Sequence, residues 1–377
     1  MILEGVRVVE LASVLAGPSV GMFLAELGAE VLKIENPHTK GDVTRSWQLR
    51  DEKPENGCTS YFNAINWGKC SLVLDARNEH DRTVLLKHIR AADIVITSFK
   101  PGDAEKLGLS WETLQAENPA LIYAAITGYG DEDARTAYDA LLQAESGFMY
   151  LNREPGREPL KMPVALMDVL AAHHLKQLIL IAWIQRLKTG KGCRVDVSLF
   201  ESAVSSLVNQ AGSWQYAGIS PEPMGSEHPH IYPYGESFCC GDGRSIVLAV
   251  GNDTQFRSLC GLLGCPELSE DEKFATNAAR SRNRNALRLM LGARFAQSPD
   301  AEKLIQEFHQ AKVPAALIRN IPEALKAYAA NPAYARHISP CGSMEGLPQL
   351  SGRINGKRAT RNLDRPPAYP QEKQSPE

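Results

Sequence analysis

VRVVELASVLAGPSVGMFLAELGAEVLKIE, residues 6–35, decides how the rest of the chain is read. Residues 6–11 (VRVVEL) are a short apolar run that reads as a strand, 18–27 (PSVGMFLAEL) as a helix opened by proline, and 29–35 (AEVLKIE) as a second strand. This is a βαβ unit, whose helical crossover leaves its two strands parallel. The order recurs in SLVLD (71–75), HDRTVLLKHIR (80–90), DIVITSF (93–99), SWETLQAE (110–117) and LIYAAIT (121–127). Strands alternating with helices predict an α/β fold with a mostly parallel sheet covered on both faces.

Further along, a helix runs from Asp168 to about 188, a TGKG turn spans 189–192, RVDVSL (194–199) is a strand, and one more helix covers FESAVSSLVNQAGSWQYAG. The stretch 218–235, rich in Pro, Gly and His, then marks a connection with little regular structure. ESFCC and RSIVLAVG around GDG form a hairpin. Helical segments follow at 253–263, 283–296 and 300–311, then PAALIRN and the helix PEALKAYAA. The pattern predicts a first large domain over 1–217 and a smaller α+β domain over 226–325, with RPPAYPQEKQSPE (365–377) as a solvated tail.

Across 377 residues, 41 basic side chains nearly balance 44 acidic ones without a block of like charge, so neither nucleic acid nor a membrane surface is expected as a partner. The eight cysteines, Cys341 among them, show no zinc spacing and read as reduced thiols; no metal is expected. MILEGVRVVELAS reads as a first strand and not a signal peptide, and LILIAWI (178–184) is too short to span a bilayer. The expected compartment is the cytoplasm.

The first βα loop, ASVLAGPSVG, lies where doubly wound sheets bind ligands, but it lacks GxGxxG and so cannot cradle a dinucleotide. SFKPGDAEKLGL (98–109) sets Phe99, Lys100, Gly102 and Lys106 after a strand. It reads either as a solvated loop or as a platform that stacks a purine and pairs phosphates. In PVALMDVLAAHH (163–174), Asp168 sits between apolar residues. It suits two roles, the N-cap of the following helix or a carboxylate nucleophile held with little competing water.

In order, GVRVVELASVLAGP, LAELGAEVLKIENP, GDVTR, NWGKCSLVLD, SFKPGDAEKLGLSWETL, PALIYAAITGYG, YDALLQAESG, PVALMDVLA, TGKGCRVDVSLFES, HPHIYPYGESF, LAVGND, TNAARSRNR and VPAALI resemble blocks of the family III CoA-transferases, the CaiB/BaiF family, over nearly the whole chain. The resemblance implies a Rossmann-like large domain made from both ends of the chain, so that 326–377 returns to it. It also implies an interlocked homodimer with CoA lying between one chain's large domain and the other's small domain. Asp168 becomes the catalytic nucleophile, and Lys69, Ser98, Phe99, Lys106, Leu107 and Tyr138 the CoA-contacting positions. Phe99 is expected on adenine, and Lys69 and Lys106 on phosphates. CoA and acyl-CoA are substrates, a free carboxylate is the acceptor, and no tightly bound cofactor is implied.

Departures narrow the reading. Ser98 replaces a more usual asparagine and Lys106 a more usual arginine, which keeps charge but loses bidentate phosphate geometry. Leu15 stands where formyl-CoA:oxalate enzymes carry glutamine, and their glycine run is missing. The related α-methylacyl-CoA racemases pair a histidine with an aspartate in a Gly-His-Asp block. Here Ala137-Tyr138-Asp139 occupies that place, and a phenol with an ordinary pKa of about 10 is a poor carbon-acid base. A racemase and a catalytically idle CoA-binding homologue are the alternatives to transfer. The first loop, Tyr138 and residues 210–235 are expected to read the acyl group. They lack Arg and Lys, although the resemblance still favours small dicarboxylates such as succinate.

Overall fold

A computed structural model describes residues 1–54, 57–331, 334, 336–339 and 344–369. The chain forms two compact units, the first from Met1–Met149, Lys161–Ile219 and Pro332–Glu377, the second from Tyr150–Leu160 and Ser220–Asn331.

The first unit is built on β1 (Arg7–Leu11), α1 (Ala16–Glu26), β2 (Glu30–Glu35), α2 (Ser60–Ala64), β3 (Lys69–Val73), α3 (Glu79–Arg90), β4 (Ile94–Thr97), α4 (Asp103–Leu107), α5 (Trp111–Glu117) and β5 (Ile122–Thr127). It continues through α6 (Asp139–Glu145), the short α7 (Phe148–Leu151), α8 (Leu166–Thr189), β6 (Arg194–Ser198), α9 (Leu199–Ser205) and α10 (Val208–Ala217). The six strands are all parallel, in the order β3-β2-β1-β4-β5-β6. The order reverses between β1 and β4, which opens a crevice at their carboxyl ends.

Successive residues of a strand point to opposite faces, and the sheet buries both. Val8, Ile94, Ile96, Ile122 and Ala124 pack under α1 and α8. Their neighbours Val9, Val95 and Tyr123 pack against Leu85 and Ile89 of α3 and Leu114 of α5. Every residue of β4 and β5 is therefore buried, which is why both read as unbroken apolar runs. Pro18 is the third residue of α1 and not its first, a place it can hold because first-turn N–H groups have no helical acceptor. α1 also lies very close to β1. A Cβ at position 17 would come within 2.3 Å of the Ala12 Cβ.

α8 begins two residues before Asp168 and buries Met167, Ala171, Leu175, Ile179 and Ala182. By length and composition it could cross a membrane, so the apolar run at 178–184 belongs to a longer apolar helix than expected; here its buried face packs along α1 and α9. The single helix expected over 200–218 is broken into α9 and α10, with Val208 at φ 39° at the break. The returning C-terminal segment is held by Glu26, buried in α1. Its carboxylate accepts His337 Nε2 at 2.9 Å and the N–H groups of Gln349 and Leu350 at 2.7 and 2.9 Å. The expected solvated tail is anchored at its start, since the Pro367 carbonyl accepts Arg45 Nη2 at 3.1 Å. Residues 370–377 and Cys341 lie outside the described residues; Cys70, Cys193, Cys239, Cys240, Cys260 and Cys265 are free thiols.

The second unit holds the hairpin β7 (Tyr234–Cys239) and β8 (Ser245–Ala249), with β9 (Ala315–Leu317) antiparallel to β8. Helices over Asp253–Leu262, Arg284–Ala296 and Ala301–Gln310 cover it, and Phe238 stacks on Phe295 with ring centroids 4.7 Å apart. Tyr150–Leu160, assigned from the sequence to the first domain, belongs here: Gly225 N–H donates to the Arg153 carbonyl at 3.0 Å and Tyr150 to Glu222 at 2.8 Å.

Candidate active site

The first βα loop is shaped from below by a buried ion network. Lys33 Nζ lies 2.9 Å from both Glu10 and Asp42, and Lys69 Nζ lies 2.8 Å from Glu10. Asp42 also accepts the N–H of Val14 at 3.3 Å and of Thr44 at 3.0 Å. Burial works against the charge on Asp42, but Lys33 outweighs it and holds the carboxyl below its usual range. Val14, a β-branched residue at φ 71°, occupies a region that costs about 1–3 kcal/mol and is tolerated only where surroundings enforce it. Asp42 supplies that enforcement. Ala16 and Gly17, whose first-turn N–H groups have no acceptor among the described residues, line the crevice.

A cleft of about 540 Å³ opens there, lined by Val14–Gly17, Ser98–Pro101, Thr127, Gly128, Asp133, Arg135–Asp139, Trp47 and Asp168. Asp168 is the third residue of α8 and so does not cap it. Asp139 of α6 does, accepting the Met167 N–H at 2.8 Å. The half-buried Asp168 carboxylate accepts no hydrogen bond from the described residues. Burial, with the Asp139 charge beside it, pushes Asp168 up to about 7. The α8 dipole acts in the opposite direction and moderates that rise. Tyr61 of α2 faces the same charges. Burial, then Asp168, Asp139 and Asp42, take its phenol up to about 12, and its ring meets Trp47 edge-on with centroids 5.1 Å apart.

The structure brings Ser98, Phe99 and Tyr138 into the cleft with Asp168. Lys106 and Leu107 line a second cleft, of about 470 Å³, together with Asn36, Asp75 and Arg77. Phe99 borders both and packs partly on the sheet core. Lys106 Nζ is exposed, 2.9 Å from Asp103.

Lys69 is a correction. Its side chain is fully buried, and Nζ is held by Glu10, by Asn66 Oδ1 at 2.8 Å and by the Pro18 carbonyl at 2.8 Å. With its donors engaged inside the protein, it cannot meet a phosphate of CoA. Burial outweighs the pull of Glu10 and takes it down to about 8.

The segments expected to read the acyl group do lack Arg and Lys, but other segments bring cations to the cleft. Lys100 and Arg135 line the Asp168 cleft, and Arg135 lies 3.9 Å over the Tyr129 ring with Nε 2.8 Å from Asp133. Lys100 stands in the quoted SFKPG stretch and Arg135 three residues before Tyr138. Both signals were in the sequence, but nothing there links them to Asp168.

A doubly wound parallel sheet with a cleft at the carboxyl ends of its strands is the scaffold of an α/β enzyme. A family model described as CoA-transferase family III matches residues 3–368, and the chain belongs to that family. A succinate–glutarate CoA-transferase of Agrobacterium fabrum is 40% identical over 284 residues, 74% of this chain and 70% of that protein. An acetyl-CoA:oxalate CoA-transferase of Acetobacter aceti is 35% identical over 326 residues, 85% of this chain and 82% of that protein. A crystal structure of a CaiB/BaiF family protein from Brucella suis superposes with a TM-score of 0.85 at 39% identity, covering 97% of this chain and 95% of that one. The chain is accordingly a CoA-transferase, which moves CoA between acids.

Proposed function

We propose that Asp168 carries CoA as a covalent thioester while donor and acceptor acids exchange. The observation that carries the reading is the half-buried Asp168 carboxylate, without a hydrogen-bond donor among the described residues, at the carboxyl edge of the sheet in a cleft fed by three βα loops. Its oxygen attacks the donor thioester carbonyl, breaking the C–S bond to give a mixed anhydride and CoA thiolate. The thiolate attacks the aspartyl carbonyl, the donor carboxylate leaves, and Asp168 holds CoA through sulfur. An acceptor carboxylate reverses the two steps and departs as its CoA thioester. Each tetrahedral oxyanion needs donors, and the N–H groups of Ala16 and Gly17 at the start of α1 suit that role.

For CoA, Phe99 stacks on the adenine, with Leu107 beside it and Lys106 meeting phosphate. Arg77 joins this set, and Ser98 and Tyr138 flank the path toward Asp168. The acids are small dicarboxylates, a reading supported by relatives named for succinate, glutarate and oxalate and by Lys100 and Arg135 in the cleft. The working form is a homodimer. Leu180, Ile184 and Leu187 recur along one exposed stripe of α8 with Ile181 beside them, apolar surface that a monomer would leave in water.

The test is chemical capture. Succinyl-CoA incubated without acceptor, then treated with hydroxylamine or borohydride, modifies the peptide containing MPVALMDVL at Asp168, and Asp168→Ala abolishes both the adduct and turnover. An adduct elsewhere, or normal turnover by Asp168→Ala, rejects the mechanism.

A further inference from the structure

Asp139 and Asp168 line one cleft from two helices, yet their carboxylates are treated in opposite ways. Asp139, the first residue of α6, has both oxygens engaged: Oδ1 accepts the Met167 N–H at 2.8 Å and Oδ2 accepts Gln143 Nε2 at 2.7 Å. Gln143, one turn further along α6, grips the segment entering α8. Its Oε1 accepts the Met162 N–H at 2.8 Å and its Nε2 also reaches the Met162 carbonyl at 3.3 Å. Residues 162–167 are thus strapped to α6 immediately before Asp168. A helix whose N-terminus is capped by another element has no need of its own first-turn acid for that purpose.

We propose that Asp139 is a positioning residue for CoA transfer: it caps α8 in place of Asp168, fixes the turn that presents Asp168, and sets a like charge beside a carboxylate left without a donor. The proposal rests on Asp168 as the nucleophile. The titratable and charged groups that line the cleft with it are Asp139 from α6 and Lys100, Asp133, Arg135 and Tyr138 from the loops after β4 and β5, and Tyr61 of α2 feels the charges of Asp168, Asp139 and the buried Asp42. After burial, Asp139 is the neighbour whose charge raises Asp168, and a more basic carboxylate is a stronger oxygen nucleophile once ionised.

Asp139→Asn separates charge from cap, because the amide oxygen can still accept the Met167 N–H. Two readouts are taken on the full-length protein: the infrared carboxyl band of Asp168, isolated as the difference from Asp168→Asn, and the pH profile of kcat/KM with succinyl-CoA and a free dicarboxylate. The ionisation midpoint of Asp168 moves to lower pH by about half a unit or more, so kcat/KM at pH 6 relative to pH 8 rises about threefold. Plateau kcat falls as the nucleophile weakens. Asp139→Ser, a second uncharged cap, gives the same shift should the asparagine variant fold poorly. An unmoved infrared midpoint in a folded variant overturns the proposal. Normal turnover by Asp168→Ala would instead reject the nucleophile and leave the infrared result standing, so the two failures are told apart.

Discussion

Asp168 combines two demands that work against each other. In the nucleophile role proposed for it, it must be ionised, yet its surroundings favour the protonated form and push it up to about 7. A carboxyl whose folded pKa lies above its unfolded value takes up protons on folding between about pH 4 and pH 7, so stability falls as pH rises through that window. Below about pH 4 both states are protonated and the penalty is absent; above about pH 7 it is complete. Asp168→Asn removes it. The variant should match the parent near pH 4 and exceed it by roughly 2 kcal/mol at pH 8, about half the full linkage value because the side chain is partly solvated. Denaturant melts at the two pH values check this. A constant difference across the range would mean that Asp168 ionises normally.

Among elements, the contact between α1 and β1 decides where backbone donors sit. Glycine at 17 lets the helix approach until a Cβ there would lie 2.3 Å from Ala12 Cβ. Glycine at 21 likewise leaves room for Glu10, whose Oε2 would stand 1.9 Å from an added Cβ. Gly17→Ala must push the start of α1 away from the strand, carrying the Ala16 and Gly17 N–H groups with it. The expected result is a loss of about 1–3 kcal/mol of stability from overpacking together with a lowered kcat. Affinity for CoA, whose site we propose at the loops after β3 and β4, should hold. Thermal melts, steady-state kinetics and a CoA titration separate the effects, and an unchanged kcat would remove these donors from the oxyanion role.

At the scale of the molecule, the chain leaves the first unit and returns to it, and Glu26 shows how the return is secured. A fully buried carboxylate with partners at 337, 349 and 350 couples the fold of α1 to chain synthesised more than three hundred residues later. The apolar stripe of α8 points beyond the single chain. Light scattering should give a mass near twice 41.3 kDa that persists on dilution to micromolar concentration. A folded monomer there would leave Ile184 and Leu187 without a role and overturn the homodimer.

How much of this was legible depends on distance along the chain. Strand and helix periods are local, so the βαβ alternation could be read from 6–35 and its recurrences, with errors at ends such as the start of β3 at Lys69, in the short helices α2 and α4, which are too brief to show a period, and at the break between α9 and α10. Asp168 stood out because a carboxylate among apolar neighbours is itself a local anomaly. Its freedom was not legible, because that depends on Asp139 taking the Met167 N–H from another helix. Nor could NWGKCSLVLD reveal that Lys69 is enclosed by Glu10 and the Pro18 carbonyl. Charge, aromaticity and period are properties of a residue and its neighbours, whereas a hydrogen-bond partner or a burial penalty is a property of through-space distance. Hence the type of fold and the candidate nucleophile could be taken from the order of residues, while the availability of each ionisable group was settled only when distant segments packed together.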